Sequence, residues 1–154
     1  MTSMQQVHNF LDHKRFAFVG VSREPKDFSR TLFREFLARG YQAVPVNPDA
    51  REIDGQPCFA RLQEIQPPVE EALFMTAPAV TDTLVRDCPS AGIKCVWMFR
   101  GAGKGAATPD AIQYCQSNGM EVIPGECPFM FLPGGAWFHR FHGFVRKITG
   151  SYPH

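Results

Sequence analysis

The stretch that most constrains the fold is residues 16–40, where an apolar strand pattern runs into a polar loop and then into a helix pattern. A helix that begins directly after such a loop points unpaired backbone N–H groups at it, and these groups bind anions. The strand breaks at Gly20, Ser22 follows in the turn, and the loop and helix start carry three cations, Arg23, Lys26 and Arg30. The stretch therefore predicts a site for a phosphate-bearing ligand.

Strand and helix patterns alternate along the rest of the chain. Strands are predicted at 15–19, 41–46, 72–75, 93–98 and 120–124, and helices at 4–13, 29–39, 78–88, 109–118 and 136–149. Such alternation predicts one Rossmann-like, doubly wound α/β domain over residues 1–154, with a parallel five-stranded sheet in the order 3-2-1-4-5 and helices on both faces. In these sheets the ligand lies beyond the carboxyl ends of the strands, here beside strand one.

Composition excludes several classes of protein. The net charge is only +1 without a basic run, which disfavours a nucleic-acid binder, and no apolar stretch has the roughly 20 residues of a membrane span. The first residues lack the pattern of a signal peptide, so we expect a cytoplasmic protein. The five cysteines form no C-x-x-C pair, so neither a disulfide framework nor a metal site is expected, and most should be buried thiols.

The loop does not have the dinucleotide-binding pattern. That pattern needs G-x-G-x-x-G and an acidic residue at the end of strand two, but Gly20 is followed by Val21 and Ser22. The second strand ends in Val46, Asn47 and Pro48, without a carboxylate. NAD is disfavoured on these grounds.

Several short motifs, taken in order, resemble those of stand-alone CoA-binding domain proteins, which share their fold with the N-terminal domain of the succinyl-CoA synthetase alpha subunit. The resemblance covers residues 10–131. The motifs are Val19-Gly-Val-Ser-Arg23, Gly40-Tyr41, Val44-Pro-Val-Asn-Pro48, Ile53-Asp-Gly55, Gly92-Ile-Lys-Cys-Val-Trp-Met98 with Gly101, and Gly125-Glu-Cys-Pro128.

The resemblance implies coenzyme A as the ligand and gives each loop a role. Gly20, Val21 and Ser22 would meet the pyrophosphate, with Arg23 and Lys26 adding charge. Val46, Asn47 and Pro48 would flank the adenine and ribose, Thr76, Ala77 and Pro78 would line the far side, and Met98 to Gly101 would follow the pantetheine arm. The chain departs from the family at Phe28-Ser29-Arg30, because the family commonly has glycine after the phenylalanine.

Cys127 follows the last strand, so we expect it near the cleft, where a mixed disulfide with the CoA thiol is one hypothesis. No nucleophile–base pair or acid pair stands at a convincing spacing. We therefore interpret the chain as a binding, carrier or sensor module for CoA or acyl-CoA. The alternatives are a small NAD(P)-dependent oxidoreductase, or a CoA-linked enzyme that needs a partner subunit; a homodimer is also open.

Overall fold

The computed structural model describes residues 3–99, 105–125, 127–128 and 131 of the chain. Helices α1 to α5 span Ser3–Asp12, Phe28–Ala38, Pro78–Leu84, Cys88–Ala91 and Pro109–Ser117. Strands β1 to β7 span Arg15–Val19, Gln42–Val46, Glu52–Ile53, Gln56–Pro57, Glu71–Phe74, Cys95–Met98 and Glu121–Pro124. Short 3₁₀ turns cover Leu62–Glu64 and Val85–Asp87. The helix predicted at 136–149 lies outside the described residues.

Five strands form one parallel sheet in the order β2-β1-β5-β6-β7, which confirms the Rossmann-like α/β fold. The predicted strand order 3-2-1-4-5 is wrong. The third main strand, β5, pairs with β1 rather than with the outer edge of β2. That edge is occupied by Phe59, whose N–H donates to the Pro45 carbonyl at 3.0 Å and whose carbonyl accepts from Asn47 N–H at 2.9 Å. All four residues of β5 are buried, as a position inside the sheet requires.

The two faces of the sheet are covered by different helices. Side chains alternate along β1, so Phe16 and Phe18 face one way and Ala17 and Val19 the other. The first pair packs in an aromatic cluster with residues of α1 and α2; the Phe18 and Phe33 ring centroids, for example, lie 5.7 Å apart. The second pair packs with residues from the α3–α5 side of the sheet. The chain therefore crosses from one face to the other between β1 and β5.

Two helix boundaries show how the sequence sets local structure. Asp27 caps α2, because its carboxylate accepts from the backbone N–H of Ser29 at 2.9 Å. The single helix predicted at 78–88 is instead α3, a 3₁₀ turn and α4. Pro89 lacks the N–H that would continue a regular helical ladder, and its ring crowds the turn before it.

Two kinds of feature are absent from the described ranges. No helix there combines the length and the apolar character that crossing a bilayer requires. Within the same ranges, no three His, Cys, Asp or Glu side chains are grouped so that they could hold a metal ion.

Candidate functional site

A cleft of about 600 Å³ opens at the carboxyl ends of β1, β2 and β5. It lies where α2 covers one face of the sheet and α3 the other, which is the switch point where parallel α/β sheets bind ligands. Eight of the residues selected from the sequence line it: Gly20, Val21, Ser22, Val46, Asn47, Pro48, Thr76 and Ala77. The switch lies between β1 and β5, because β5 is the neighbour of β1 in this sheet.

Gly20 brings the ends of β1 and β5 into close contact. Its φ is +91°, which favours glycine, and a Cβ built on it would lie 2.5 Å from the Met75 carbonyl oxygen and 2.7 Å from Cγ2 of Thr76. The backbone turn at the floor of the cleft therefore has no room for a side chain. Its N–H donates to the Val46 carbonyl at 3.3 Å, which ties the turn to β2.

Ser29, the residue that departs from the family pattern, is folded into the loop. It is buried, its hydroxyl accepts from Ser22 N–H at 2.9 Å, and it donates to the Asp27 carboxylate at 2.6 Å. The Ser22 hydroxyl in turn accepts from Glu24 N–H at 3.0 Å. Ser29 thus engages one of the loop amides that the family resemblance assigns to the pyrophosphate.

Arg30 is buried and organises the loop. Its Nε and Nη2 donate to Asp54 at 3.1 and 2.6 Å, and its Nη1 donates to the carbonyls of Ser22 and Arg23 at 3.3 and 3.0 Å. Arg34 shares the same carboxylate at 3.1 Å. The hydrogen bond from Arg30 is the largest cause that lowers the pKa of Asp54, and the bond from Arg34 and both positive charges add to it against the opposing effect of burial. The structure places Arg30 under the loop, with its donors on protein groups.

Arg23 and Lys26, by contrast, are exposed at the rim of the loop. The Arg23 guanidinium makes one long contact, 3.5 Å from its Nη1 to the Asp49 carbonyl oxygen. The Lys26 backbone N–H donates to the Glu24 carboxylate at 3.2 Å. Neither residue is among those that line the cleft, so their contact with a phosphate stays a prediction.

The other two walls of the cleft are held by side-chain hydrogen bonds. Asn47 Nδ2 donates to the Val21 carbonyl at 3.0 Å, and its Oδ1 accepts from Asp49 N–H at 2.8 Å, so this amide joins the loops after β1 and β2. Across the cleft, the hydroxyls of Thr76 and Thr81 lie 2.5 Å apart. Pro78 follows the N-cap residue Ala77 and begins α3, as predicted.

The remaining predicted residues are not brought into the cleft by their side chains. Met98 is fully buried in the core. Phe28 is half-buried and packs against the aromatic cluster. Cys127 is also fully buried there, in the cluster that includes Trp97, and it is not among the described residues that line the cleft, so its expected place near the cleft stays a prediction. Gly101 lies outside the described residues.

The other thiols confirm the expectation of buried cysteines. Cys88, Cys95 and Cys115 are buried and Cys58 is half-buried. Burial raises the pKa of Cys115 to about 11 and, with the neighbouring charges of Glu71 and Glu121, that of Cys95 to about 12. At neutral pH these groups are thiols rather than thiolates.

Sequence reasoning missed the distal part of the cleft. Six residues line it there: Ala60, Arg61, Leu62, Val80, Leu84 and Asp87. Arg61 Nη2 lies 3.3 Å from Asp87 Oδ1, so an ion pair joins the two walls. The segment at 49–68 is rich in turn signals, and its approach to β2 depends on the pairing of Phe59 with Val46, a contact without a local sequence signature.

Comparison with known proteins identifies the family. A family model described as "CoA binding domain" matches residues 14–133. The chain belongs to this CoA-binding domain family. The match contains every cleft residue named above, from Gly20 to Asp87.

Solved structures resemble this CoA-binding domain in fold. A hypothetical protein from Pyrococcus horikoshii OT3 is 22% identical, with a TM-score of 0.75 over 94% of this chain and 92% of that one. A conserved hypothetical protein from Pyrococcus furiosus is 26% identical, with a TM-score of 0.66 over 73% of this chain and 94% of that one. A dinucleotide-forming acetyl-coenzyme A synthetase 1 from Ca. Korarchaeum cryptofilum is 23% identical, with a TM-score of 0.62 over 71% of this chain and 25% of that one.

Proposed function

We propose that the protein binds coenzyme A or an acyl-CoA in the cleft at the carboxyl ends of β1, β2 and β5, and acts as a non-catalytic carrier or sensor. One observation carries the proposal: the cleft of a CoA-binding domain lies at the switch point of the sheet and is bordered by a tight turn, a helix start and two exposed cations. Each of these features attracts phosphate groups.

The pyrophosphate is proposed to lie over residues 20–22. The absent side chain of Gly20 lets backbone approach the ligand, and the α2 N-terminus adds its partial positive charge. Arg23 and Lys26 reach the phosphates from the rim, whereas Arg30 keeps the loop in shape from below. Arg30 thus supports the site rather than contacting the ligand.

The nucleoside is proposed to lie between the ends of β2 and β5. Val46 and Pro48 flank it on one side, Thr76 and Ala77 on the other, and Val80 presents an exposed apolar side chain to the same cleft. An adenine ring is flat and mostly apolar on its faces, which suits such walls. The path of the pantetheine arm along residues 98–101 stays a prediction, since Gly101 lies outside the described residues.

The lining of the cleft supports a binding role. The described residues that line it include two hydroxyls, two carboxylates and one guanidinium, but no His, Cys, Lys or Glu. The Thr76 hydroxyl is engaged by Thr81, and the Asp87 carboxylate by Arg61. General acid–base or nucleophilic chemistry needs a nucleophile and a base within mutual reach, and this arrangement offers a surface for binding instead.

Isothermal titration calorimetry with CoA, acetyl-CoA, NAD and NADP tests the proposal. CoA or acetyl-CoA should bind more tightly than either nicotinamide dinucleotide. A preference for NAD or NADP would contradict the proposal and favour a dinucleotide-dependent oxidoreductase, and turnover of an acyl-CoA would contradict the non-catalytic role.

Site variants locate the ligand within the same titration. Lys26→Ala and Ser22→Ala should each weaken CoA binding by about 1–3 kcal/mol, because each removes a hydrogen bond or charge from a phosphate. Arg39→Ala is the matched control, since this cation pairs with Glu35 at the far end of α2. Unchanged affinity in both loop variants would place the ligand elsewhere. Size-exclusion chromatography with light scattering measures whether a homodimer forms.

A further inference from the structure

Arg61 lies where the ribose of a bound nucleotide is expected. Phe59 pairs with Val46 in parallel register, so the chain runs on from Phe59 beside the carboxyl end of β2, and both Pro48 and Arg61 line the cleft. In Rossmann-like sheets the groups at the end of the second strand contact the ribose. A carboxylate there accepts from a free hydroxyl, whereas a nearby arginine accommodates a ribose phosphate.

We infer that Arg61 is a specificity-determining residue that binds the phosphate on the ribose of the nucleotide, and thereby selects CoA over 3′-dephospho-CoA. The inference rests on the proposed function and adds a residue that nothing in the sequence pattern marked. The second strand ends in Val46, Asn47 and Pro48, so a carboxylate for a ribose hydroxyl is absent from the end of β2 itself. A guanidinium at the same place favours a phosphorylated ribose over a free ribose hydroxyl.

The ion pair with Asp87 is weak enough to be exchanged for a phosphate. Its N···O distance is 3.3 Å, and the Arg61 side chain is 61% exposed. An exposed pair of this kind contributes little to stability, whereas a guanidinium binds phosphate through short, charge-assisted hydrogen bonds. Asp87 holds Arg61 across the cleft. A dianionic phosphate is the stronger partner for the guanidinium.

Asp87 also sets the sign of the local potential. Without Arg61, its carboxylate lines the cleft unneutralised and repels a phosphate that approaches this wall. Arg61 therefore favours a phosphorylated ribose in two ways: it attracts the phosphate, and it neutralises the charge of Asp87. Removal of the Asp87 charge should act in the opposite direction to removal of Arg61.

The test is calorimetry of the full chain with CoA and 3′-dephospho-CoA, which differ only in the ribose phosphate. The wild type should prefer CoA, and Arg61→Ala should reduce that preference about tenfold, while Arg61→Lys retains part of it. Asp87→Asn should keep or increase it. Arg86→Ala is the control, because it removes an equal charge next to Asp87 in the sequence. The Arg86 guanidinium lies 4.9 Å from the centroid of the Tyr114 ring, so the ratio of the affinities for CoA and 3′-dephospho-CoA should stay at the wild-type value.

Three outcomes would overturn the inference. An unchanged ratio in Arg61→Ala, with a thermal unfolding midpoint equal to that of the wild type, shows that Arg61 does not bind the ribose phosphate. A ratio that falls in Lys26→Ala and not in Arg61→Ala assigns the phosphate to the loop after β1. Failure of both ligands to bind the wild type overturns the proposed function as well, and so is distinguishable from failure of the Arg61 assignment alone.

Discussion

Asp54 and Arg30 form a two-pronged ion pair, with Nη2 donating to Oδ1 at 2.6 Å and Nε to Oδ2 at 3.1 Å. Asp54 and Gly55 both have positive φ, +49° and +79°, and form the turn between β3 and β4. Through Arg30, this outlying hairpin holds the carbonyls of Ser22 and Arg23. The shape of the proposed phosphate loop therefore depends on a carboxylate 24 residues beyond Arg30 in the chain.

Asp54→Ala should destabilise the protein and loosen the loop. Its Arg30 partner has only 8% of its side chain exposed, so the substitution leaves a buried guanidinium without its counterion. We expect a loss of about 2–3 kcal/mol in the free energy of unfolding, measured in urea, and a several-fold weaker affinity for CoA. Glu35→Ala is the control: it removes the partner of Arg39 on the same helix and should cost about 0.5–1 kcal/mol without changing the affinity for CoA.

The contribution of Asp54 should also depend on pH. Its pKa in the folded protein lies below the ordinary value of 3.8, so the ionised form is stabilised by folding. The contribution is complete above that ordinary value and is lost as the pH falls through the lowered pKa. The difference in unfolding free energy between wild type and Asp54→Ala should be constant from about pH 7 to 5 and shrink below about pH 4. A difference that shrinks on raising the pH would contradict this pairing.

Comparing Gly20→Ala with Gly40→Ala separates two costs of adding a side chain, the steric clash and the left-handed backbone conformation. Both glycines have positive φ, +91° and +85°, but only at Gly20 would a Cβ meet other atoms within 4 Å. Gly40→Ala should cost about 1–2 kcal/mol for the left-handed conformation alone. Gly20→Ala should cost more than about 3 kcal/mol, because β1 and β5 must also move apart, and it should abolish CoA binding. Equal losses of unfolding free energy in the two variants, measured in urea, would contradict the close contact between Gly20 and the Met75 carbonyl.

Ser29 offers a test of whether the loop amide is used by the ligand. Ser29→Gly removes the acceptor that holds Ser22 N–H and restores the residue common in the family. We expect CoA affinity to rise by about 2–10-fold, because the freed N–H can reach a phosphate, and unfolding free energy to fall by about 1 kcal/mol, because glycine disfavours a helix. Ser29→Ala frees the same amide but keeps a Cβ, so its affinity should lie between the two. Weaker binding by Ser29→Gly would show that the serine supports the bound state.

The sequence predicted the strands and helices well because their signals are local. The apolar run at 93–98 and the capped, amphipathic stretch after Asp27 fix their own secondary structure. The order of the strands, by contrast, has no local signal in the sequence. Whether β5 joins β1 or the far side of β2 depends on Phe59, which occupies the outer edge of β2 from a turn-rich segment without a strand pattern.

The same distinction between local and long-range signals applies to the candidate site. The loop mouths at Gly20, Asn47 and Thr76 were predicted because each directly follows a strand predicted from the sequence. Arg30 was predicted as a cation for phosphate, yet its charge is used by Asp54, a partner that only the folded hairpin brings near. Arg61 and Asp87 were not predicted, because the sequence around each of them carries no signal that places it in the cleft.

A second pH dependence comes from the buried carboxyl of Glu71. It opens β5 at the opposite end of the sheet from the cleft, and its residue is only 5% exposed. Its Oε1 lies 2.8 Å from His13 Nδ1, while Oε2 is buried without a hydrogen-bond partner among the described residues. Burial, followed by the charges of Glu70 and Glu121, raises the pKa of this carboxyl to about 8.

The raised pKa means that folding favours the protonated form of Glu71. Its contribution to stability is therefore complete below the ordinary value of 4.5 and is lost as the pH rises through about 8. Glu71→Gln, a neutral side chain of the same shape, should match the wild type near pH 4.5 and exceed its unfolding free energy by about 1–3 kcal/mol at pH 8.5. Urea unfolding at both pH values measures this, with the exposed Glu52→Gln as the control. A Glu71→Gln variant that is less stable than the wild type at pH 8.5 would show that the ionised carboxylate, paired with His13, is the form that folding stabilises.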